Sequence, residues 1–304
     1  MKKLLFIFNP AAGRGKIKGK LFEIINTFVK HGYKVTVFPT QTKGDAASII
    51  ASEAADYDIL VCSGGDGTLN EVISGQMYSG KVVPIGYIPA GSMNDVAHSL
   101  KISMEIKNAV MNILNGVPKT MDVGKFNDKY FIYVAAFGAF TDVPYTTSQK
   151  HKNMIGNLSY YLEGIKKISD LKAKHVKVLY NDKVIEDDFF IGFVTNSLYI
   201  AGFKNVNYSK TSLNDGMFEM LLIKMPKSIF DLEAIISALI NNKVNENYFY
   251  YIQTSNLTVI SDSLEWTLDG EFGGIYDKVE IQNCNNAIEI ITPVSKSLKQ
   301  IFTS

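Results

Sequence analysis

This chain is short of cysteine, of arginine and of long hydrophobic runs, and each shortage removes a class of protein. Its 304 residues hold two cysteines, Cys62 and Cys284, far apart and each close to an apolar run. That excludes a disulfide-built secreted scaffold and reads as two small core thiols in a reducing compartment. No stretch approaches the roughly 18 apolar residues that a membrane-spanning helix needs. The opening Met1-Lys2-Lys3 has the charge of a signal peptide, but the apolar stretch 4–8 ends at Asn9-Pro10, too short for a signal core. Net charge is +1, so no strong field calls for nucleic acid or anionic headgroups. An apolar content of 46% with 20% charge describes an ordinary globular chain, long enough for two domains.

Of 31 basic Lys and Arg residues, only Arg14 is arginine. It sits in Asn9-Pro10-Ala11-Ala12-Gly13-Arg14-Gly15, directly after the first strand-like segment. A guanidinium fork matches phosphate oxygens as an ammonium does not, so the placement suits phosphate, although a lysine-biased composition would leave the same trace.

The strongest signal is Ser63-Gly64-Gly65-Asp66-Gly67-Thr68-Leu69-Asn70-Glu71. It follows the apolar Ile59-Leu60-Val61-Cys62 and opens an amphipathic segment, so it reads as strand, glycine turn and helix start. Glycines let the backbone approach a ligand, and a helix N-terminus offers free N–H groups to phosphate. An aspartate there would repel the anion unless magnesium or its water lies between them. The turn is not the Gly-x4-Gly-Lys-Ser/Thr phosphate loop, since no Lys-Ser or Lys-Thr follows. It is not Gly-x-Gly-x-x-Gly either, and the second strand ends in Pro39-Thr40 rather than a ribose-binding acid.

The first ~125 residues alternate strand (3–8, 33–38, 58–62, 82–88) with helix (17–28, 45–55, from 68, 104–114), which predicts a parallel sheet covered by helices. Loops 9–15, 63–70 and 89–95 would then meet at the carboxyl ends of neighbouring strands. They carry Asn9, Asp66, Thr68, Ser92, Asn94 and Asp95, a set suited to a nucleotide triphosphate with carboxylates for magnesium. Asn94-Asp95 could equally cap the next helix. Beyond 125, short Val, Ile, Tyr and Phe-rich strands (125–140, 176–184, 189–196, 217–223, 248–253, 257–260, 278–291) predict an antiparallel sandwich or barrel-like domain, with helices at 158–171 and 229–240. Tyr145 and 154–161 would line an apolar groove or pack in the core. The expected organisation is a nucleotide-binding α/β domain at 1–124, a β-rich domain at 125–292, and a tail at 293–304 returning to the first. Two acidic turns mark the second domain: Leu268-Asp269-Gly270-Glu271, which reads first as a hairpin, and Leu213-Asn214-Asp215-Gly216-Met217, whose oxygens could hold a cation.

Together, Asn9 to Gly13, Gly64 to Glu71, Gly91 to Asp95, Asn214 to Gly216 and Leu268 to Glu271 resemble the diacylglycerol kinase catalytic-domain family in five motifs, in the family's order. The resemblance implies an N-terminal Rossmann-like α/β domain of NAD-kinase type with a C-terminal β-sandwich, and transfer of the ATP γ-phosphoryl group to a lipid hydroxyl, diacylglycerol or a relative. By motif position, ATP would touch Asn9, Pro10, Ala11, Ala12, Gly13, Thr40, Gly65, Asp66, Gly67, Thr68, Leu69, Asn70, Glu71 and Ser92. Asp66 and Asp95 would join a magnesium network with Asp122, and Glu271 would match the proton acceptor, with Asp66 its rival. A structural magnesium would match Ser212 and Met217 by backbone oxygen and Asp215 by its carboxylate. The implied setting is the cytoplasm, peripheral at the inner membrane face where the lipid lies, with no nucleic acid; a homodimer stays open. The chain departs from the family's Gly-Thr-x-Asn-Asp-Phe-Ala-Arg by Ser92, which keeps a hydroxyl, and by His98, which loses a permanent charge. Two other readings remain: a soluble-substrate kinase akin to NAD kinases, and a non-catalytic nucleotide or lipid sensor.

Overall fold

The computed structural model describes residues 1–92, 94–138, 171–196, 199–200, 203–204, 213–241 and 245–294. The side chains of Arg14 and Asp95 lie outside that description, as do Ser212, Tyr145, the expected groove at 154–161, the helix expected at 158–171 except for Leu171, and the tail from 295. The fold is mixed α/β with strand-rich sheets and divides into two units, Met1–Met121 with the chain from Asn286 on, and Asp122–Asn285.

In the first unit, strands β1 (Lys2–Phe8), β2 (Tyr33–Pro39), β3 (Ile59–Gly64) and β4 (Ile85–Pro89) are parallel and lie in the order β2-β1-β3-β4. Every residue of β3 and β4 is buried, which is why these strands read as unbroken apolar runs instead of alternating. The helices are α1 (Leu21–Lys30), α2 (Asp45–Glu53), α3 (Asp66–Ser79), α4 (Asp95–Ser99) and α5 (Ile106–Asn115). Ile24 and Phe28 of α1 and Ala109, Val110 and Ile113 of α5 share one core with Leu4, Phe6, Val61 and Ile88. These two helices therefore cover the same face of the sheet.

The second unit is built from antiparallel strands. They are β5 (Val117–Phe126, entering from the first unit), β6 (Lys129–Phe131), β7 (Val134–Gly138), β8 (Lys174–Tyr180) and β9 (Lys183–Thr195). Then come the short pair β10 (Tyr199–Ile200) and β11 (Phe203–Lys204), followed by β12 (Phe218–Lys224), β13 (Phe249–Thr254), β14 (Asn256–Leu268) and β15 (Glu271–Thr292). Among the described residues of this unit the helix is α6 (Ile229–Ile240), which starts with a reciprocal cap between Ser228 and Asp231. One core gathers around Trp266, whose ring meets Phe126 and Phe137 edge-on at 5.1 and 5.0 Å. A second core lies under α6.

Two departures bear on the site. α3 begins at Asp66 instead of Thr68, so Asp66 and Gly67 are already helical. The end of β15 belongs to the first unit: Ile290 pairs in parallel with Ile85, and Ile288, Ile290 and Ile291 are buried. The sequence reading kept these residues in the second domain because they continue an antiparallel strand without a break.

Candidate functional site

The strand order sets the site. The chain leaves β1 for β2 on one side, then returns to place β3 and β4 on the other, so the loops after β1 and β3 diverge at a topological switch point. The strand ends are level, with Phe8 opposite both Pro39 and Ser63, and Gly64 opposite Pro89. Loops after β1, β3 and β4 consequently emerge together and bind one another. Asn9 N–H donates to Ser63 O at 2.9 Å, while Ala90 and Gly91 N–H donate to Gly64 O at 2.8 and 3.1 Å. Asn9 Oδ1 accepts from Ala11 N–H at 2.9 Å, a local turn that shapes the first loop.

Glycine is needed where these loops touch. A Cβ on Gly91 would lie 2.5 Å from Gly65 Cα, and one on Gly13, whose φ is +57°, would lie 2.3 Å from Ala90 O. No side chain caps α3, whose N-cap is Gly65, so its first N–H groups face the end of the sheet as an anion seat. The dipole also favours a carboxylate in that first turn, which is where Asp66 stands.

The candidate residues divide by what they hold. Asp66 is half-buried and its Oδ1 accepts a long 3.4 Å bond from Val96 N–H. Thr40 donates its N–H to Phe8 O at 3.0 Å, which brings the loop after β2 to the same end. Ser92 is exposed. Leu69 is fully buried and its N–H donates to Gly65 O, so it fixes the turn from behind. Glu71 reaches back to accept from Gly44 N–H at 2.9 Å and so anchors the start of α2, and Asn70 Oδ1 accepts from Ser74. Cys62, just before the turn, is an inert core thiol: burial, with the charge of Glu71 behind it, pushes its pKa far up.

Sequence reasoning missed the role of Tyr87 and left two roles open for Asn94. Asn94 stands at the N-cap of α4 with φ +55° and makes no capping bond. Its buried side chain turns back, accepting from Gly91 N–H and donating to Gly91 O, both at 2.9 Å. The Tyr87 hydroxyl lies 3.1 Å from both Gly64 O and Asn94 Oδ1, joining the second loop to the third. The one available signal was a hydroxyl-bearing ring inside an apolar strand.

In the second unit, Leu268 pairs with Glu271 across Asp269-Gly270, whose φ values of 49° and 84° make a tight type I′ hairpin. Glu271 is exposed at its tip. The Asp269 carboxylate accepts from the N–H groups of Ile132, Tyr133 and Val134 at 2.8 to 2.9 Å, a structural role the sequence did not suggest. At the other acidic turn, fully buried Asp122 accepts from Gly216 N–H at 2.7 Å and donates its own N–H to Leu213 O. Asp215 Oδ1 accepts from Met217 N–H at 3.0 Å. Asn196 donates to Asp122 O, and among the described residues its buried Oδ1 has no hydrogen-bond partner, an oxygen that a cation or water would satisfy. Among the described residues, no three His, Cys, Asp or Glu side chains gather as metal ligands.

Comparison with known proteins gives the site a context. The family model of the diacylglycerol kinase catalytic domain matches residues 3–126. A curated diacylglycerol kinase of Bacillus subtilis (strain 168) is 32% identical over 301 residues, covering 98% of each chain. One from Staphylococcus carnosus is 32% identical over 300 residues, covering 96% of this chain and 95% of the relative. Among solved structures, a diacylglycerol kinase from Bacillus anthracis superimposes with a TM-score of 0.73 at 22% identity, covering 96% of this chain and 97% of the other, which shows a shared fold.

Proposed function

This chain belongs to the diacylglycerol kinase catalytic-domain family and is a lipid kinase, and from that premise we propose that it transfers the γ-phosphoryl group of ATP to the hydroxyl of diacylglycerol or a closely related lipid. The observation that carries this reading is the contact of the loops after β1, β3 and β4 through glycine backbone, beside an uncapped helix N-terminus. In this reading the first unit is a Rossmann-like nucleotide domain of NAD-kinase type and the second a β-sandwich that serves the lipid. The domain limits remain those proposed from sequence, except that 286–292 go with the nucleotide domain.

The ATP phosphates lie against the loop 9–13 and on the free N–H groups at the start of α3, 65–68, with Thr40, Asn70 and Ser92 supplying polar contacts. Leu69 and Glu71 hold the turn and the neighbouring α2 start. Asp66 and Asp95 are the carboxylates for magnesium. Such a pair fits an ion that usually takes one or two carboxylates plus phosphate oxygens, and when bound it offsets phosphate charge. A second magnesium is assigned to Ser212 and Met217 by backbone oxygen and to Asp215 by its carboxylate. Glu271 accepts the lipid hydroxyl's proton. The protein's contribution is positioning and charge stabilisation, as phosphoryl transfer requires, with the general base worth ~10²–10⁴-fold. No described helix is long and apolar enough to cross a membrane, and we place the enzyme at the cytoplasmic face, as a peripheral protein.

The test is a turnover panel with ATP and magnesium against diacylglycerol, sphingosine, phosphatidylglycerol, undecaprenol and NAD. Phosphorylation of diacylglycerol at the highest kcat/KM is expected; phosphorylation of NAD alone would overturn the reading. Glu271→Gln keeps shape and hydrogen bonding but accepts no proton at neutral pH. It should lower kcat at least 100-fold with nucleotide affinity intact, and normal turnover would move the base role to Asp66.

A further inference from the structure

On one face of the second unit, a backbone irregularity turns apolar side chains into solvent. A cross-strand row runs Phe272–Thr267–Ala136–Phe193–Leu221–Tyr251, so these side chains share one face of the sheet. Its middle, Ala136, Phe193 and Leu221, lies in the core under α6 with Leu232, Ile235 and Leu239 of that helix. The outward side of α6 therefore shows Phe230, 76% exposed, with Ile229 and Ile240. At the end of the row, Phe272 is 67% exposed. There Phe272 pairs with Thr267 and Gly274 with Trp266, which leaves Gly273 as an extra residue in β15. Ile275, 56% exposed, pairs with Glu265, two residues from Thr267, and so stands on the same face as Phe272. Three residues apart in a regular strand, the two would face opposite ways. The bulge is fixed in place: Gly274 has φ +124°, a Cβ on Gly273 would lie 2.9 Å from Leu268 Cγ, and Lys129 Nζ donates to Gly273 O at 2.6 Å.

We propose that this face is the surface on which the protein rests on a lipid bilayer, with Phe230 and Phe272 buried at the boundary between headgroups and acyl chains. Water gives no reason for a rigid bulge to hold two apolar side chains outward together, whereas a bilayer takes them up without a matching groove. The occupant is chosen by what adjoins the patch. Glu271, the residue before Phe272, pairs with Leu268 and so stands on the other face of the ribbon, at its tip. One residue spans about 3.4 Å, so a Phe272 ring at the acyl boundary holds that carboxylate at headgroup depth, where a glycerol hydroxyl lies. Exposed neighbours on α6 carry both signs, Lys227 and Glu233, so the contact is apolar and does not require anionic headgroups. The inference rests on the proposed function in taking a bilayer lipid as acceptor and Glu271 as its base.

The test is fluorescence of the full chain with phosphatidylcholine vesicles containing diacylglycerol. Trp266 is the sole tryptophan and is fully buried, so Phe230→Trp and Phe272→Trp each add one exposed reporter. Both reporters should shift to the blue on vesicles and be quenched by brominated acyl chains, while the wild-type emission stays unchanged. The double variant Phe230→Glu, Phe272→Glu should lose about tenfold or more in vesicle affinity, since burying one phenyl ring offers at least the ~1.4 kcal/mol that a factor of ten represents. Val184→Glu, at an exposed position outside the row, should bind as the wild type does, and every variant should keep the wild-type melting temperature. Turnover of diacylglycerol in vesicles should fall with the affinity, while turnover of monodisperse dihexanoylglycerol holds. No blue shift at either position, wild-type vesicle binding in the double variant, or an equal fall on the soluble acceptor would overturn the proposal. So would reporters that shift with protein concentration in the absence of vesicles, which would make the face a contact between two copies of the chain. Because vesicle binding is read without turnover, a chain that binds as expected but phosphorylates no diacylglycerol would sink the proposed function and leave this surface standing.

Discussion

Asp66 opens α3, and among the described residues its side chain accepts only the 3.4 Å bond from Val96 N–H. A side chain so weakly tied contributes little to the fold, yet it stands where phosphate charge would gather. Asp66→Ala should therefore retain the thermal midpoint within about 2 °C, a shift equivalent to about 1 kcal/mol for a chain of this size, while turnover falls at least 100-fold; half the wild-type rate would remove Asp66 from the chemistry. Gly91 is the opposite case. A methyl group there would lie 2.5 Å from Gly65 Cα and 2.8 Å from Asn94 Oδ1. Backbone cannot yield as a side chain tip does, so Gly91→Ala should cost about 1–3 kcal/mol, the usual range for overpacking. By separating the second and third loops it should also weaken ATP more than tenfold. Urea unfolding and nucleotide titration measure the two effects, and unchanged nucleotide affinity would mean the loops need not touch to bind it.

Among the elements, those with one unbroken pattern were legible in the sequence. β3 and α6 match their expected spans within two residues, because an apolar run and a helical stripe each report directly on burial. β14 was not legible: polar Ser261-Asp262-Ser263 interrupts its apolar pattern. There Ser263 takes φ +47° and the pairing with β15 shifts between Ile260 and Leu264, so the sequence showed a short strand, 257–260, in place of Asn256–Leu268. In the site, the glycine turns were readable because each carries its own local geometry. Tyr87 and Asp269 act on backbone brought in by tertiary structure, which no spacing announces, whereas Asn94 bonds Gly91 three residues back. The β8–β9 hairpin offers a test at this scale. His175 faces Asp188 at 2.8 Å and Glu186 at 3.5 Å, and these carboxylates, Asp188 first, raise its pKa. A raised folded-state pKa contributes stability that is fully present below the unfolded value of 6.5 and is lost as pH rises through the folded value. The melting-temperature gap between the wild type and His175→Gln should be small, because the pair is exposed, and larger at pH 6 than at pH 8.5. A gap independent of pH would mean that the imidazole is not held by its carboxylates.

The molecule as a whole is not two consecutive segments, since the chain passes into the second unit after Met121 and comes back at Asn286. The returning residues carry part of the first unit's core: Ile288 and Ile290 are 0% and 1% exposed, and Ile291 packs with Phe28, Val61 and Ile113. A first unit cut at residue 121 would expose β4, whose Ile85 pairs with Ile290. Ile290→Ala provides the test within the full chain. Deleting buried methylenes at an aliphatic core site costs about 2–5 kcal/mol, the transfer loss plus the cavity left behind. Although Ile290 lies in the same strand as Glu271, the loss should fall on the first unit. Native-state hydrogen exchange should lose protection at 59–64 and 85–89, while the Asp269-Gly270 hairpin and the strands beside Trp266 keep theirs. ATP-analogue binding should then recover part of the stability by mass action, because the proposed nucleotide site lies in the first unit. Equal loss of protection in both units would mean that they unfold as one cooperative body, and loss confined to the second would contradict the assignment of 286–292 to the nucleotide domain.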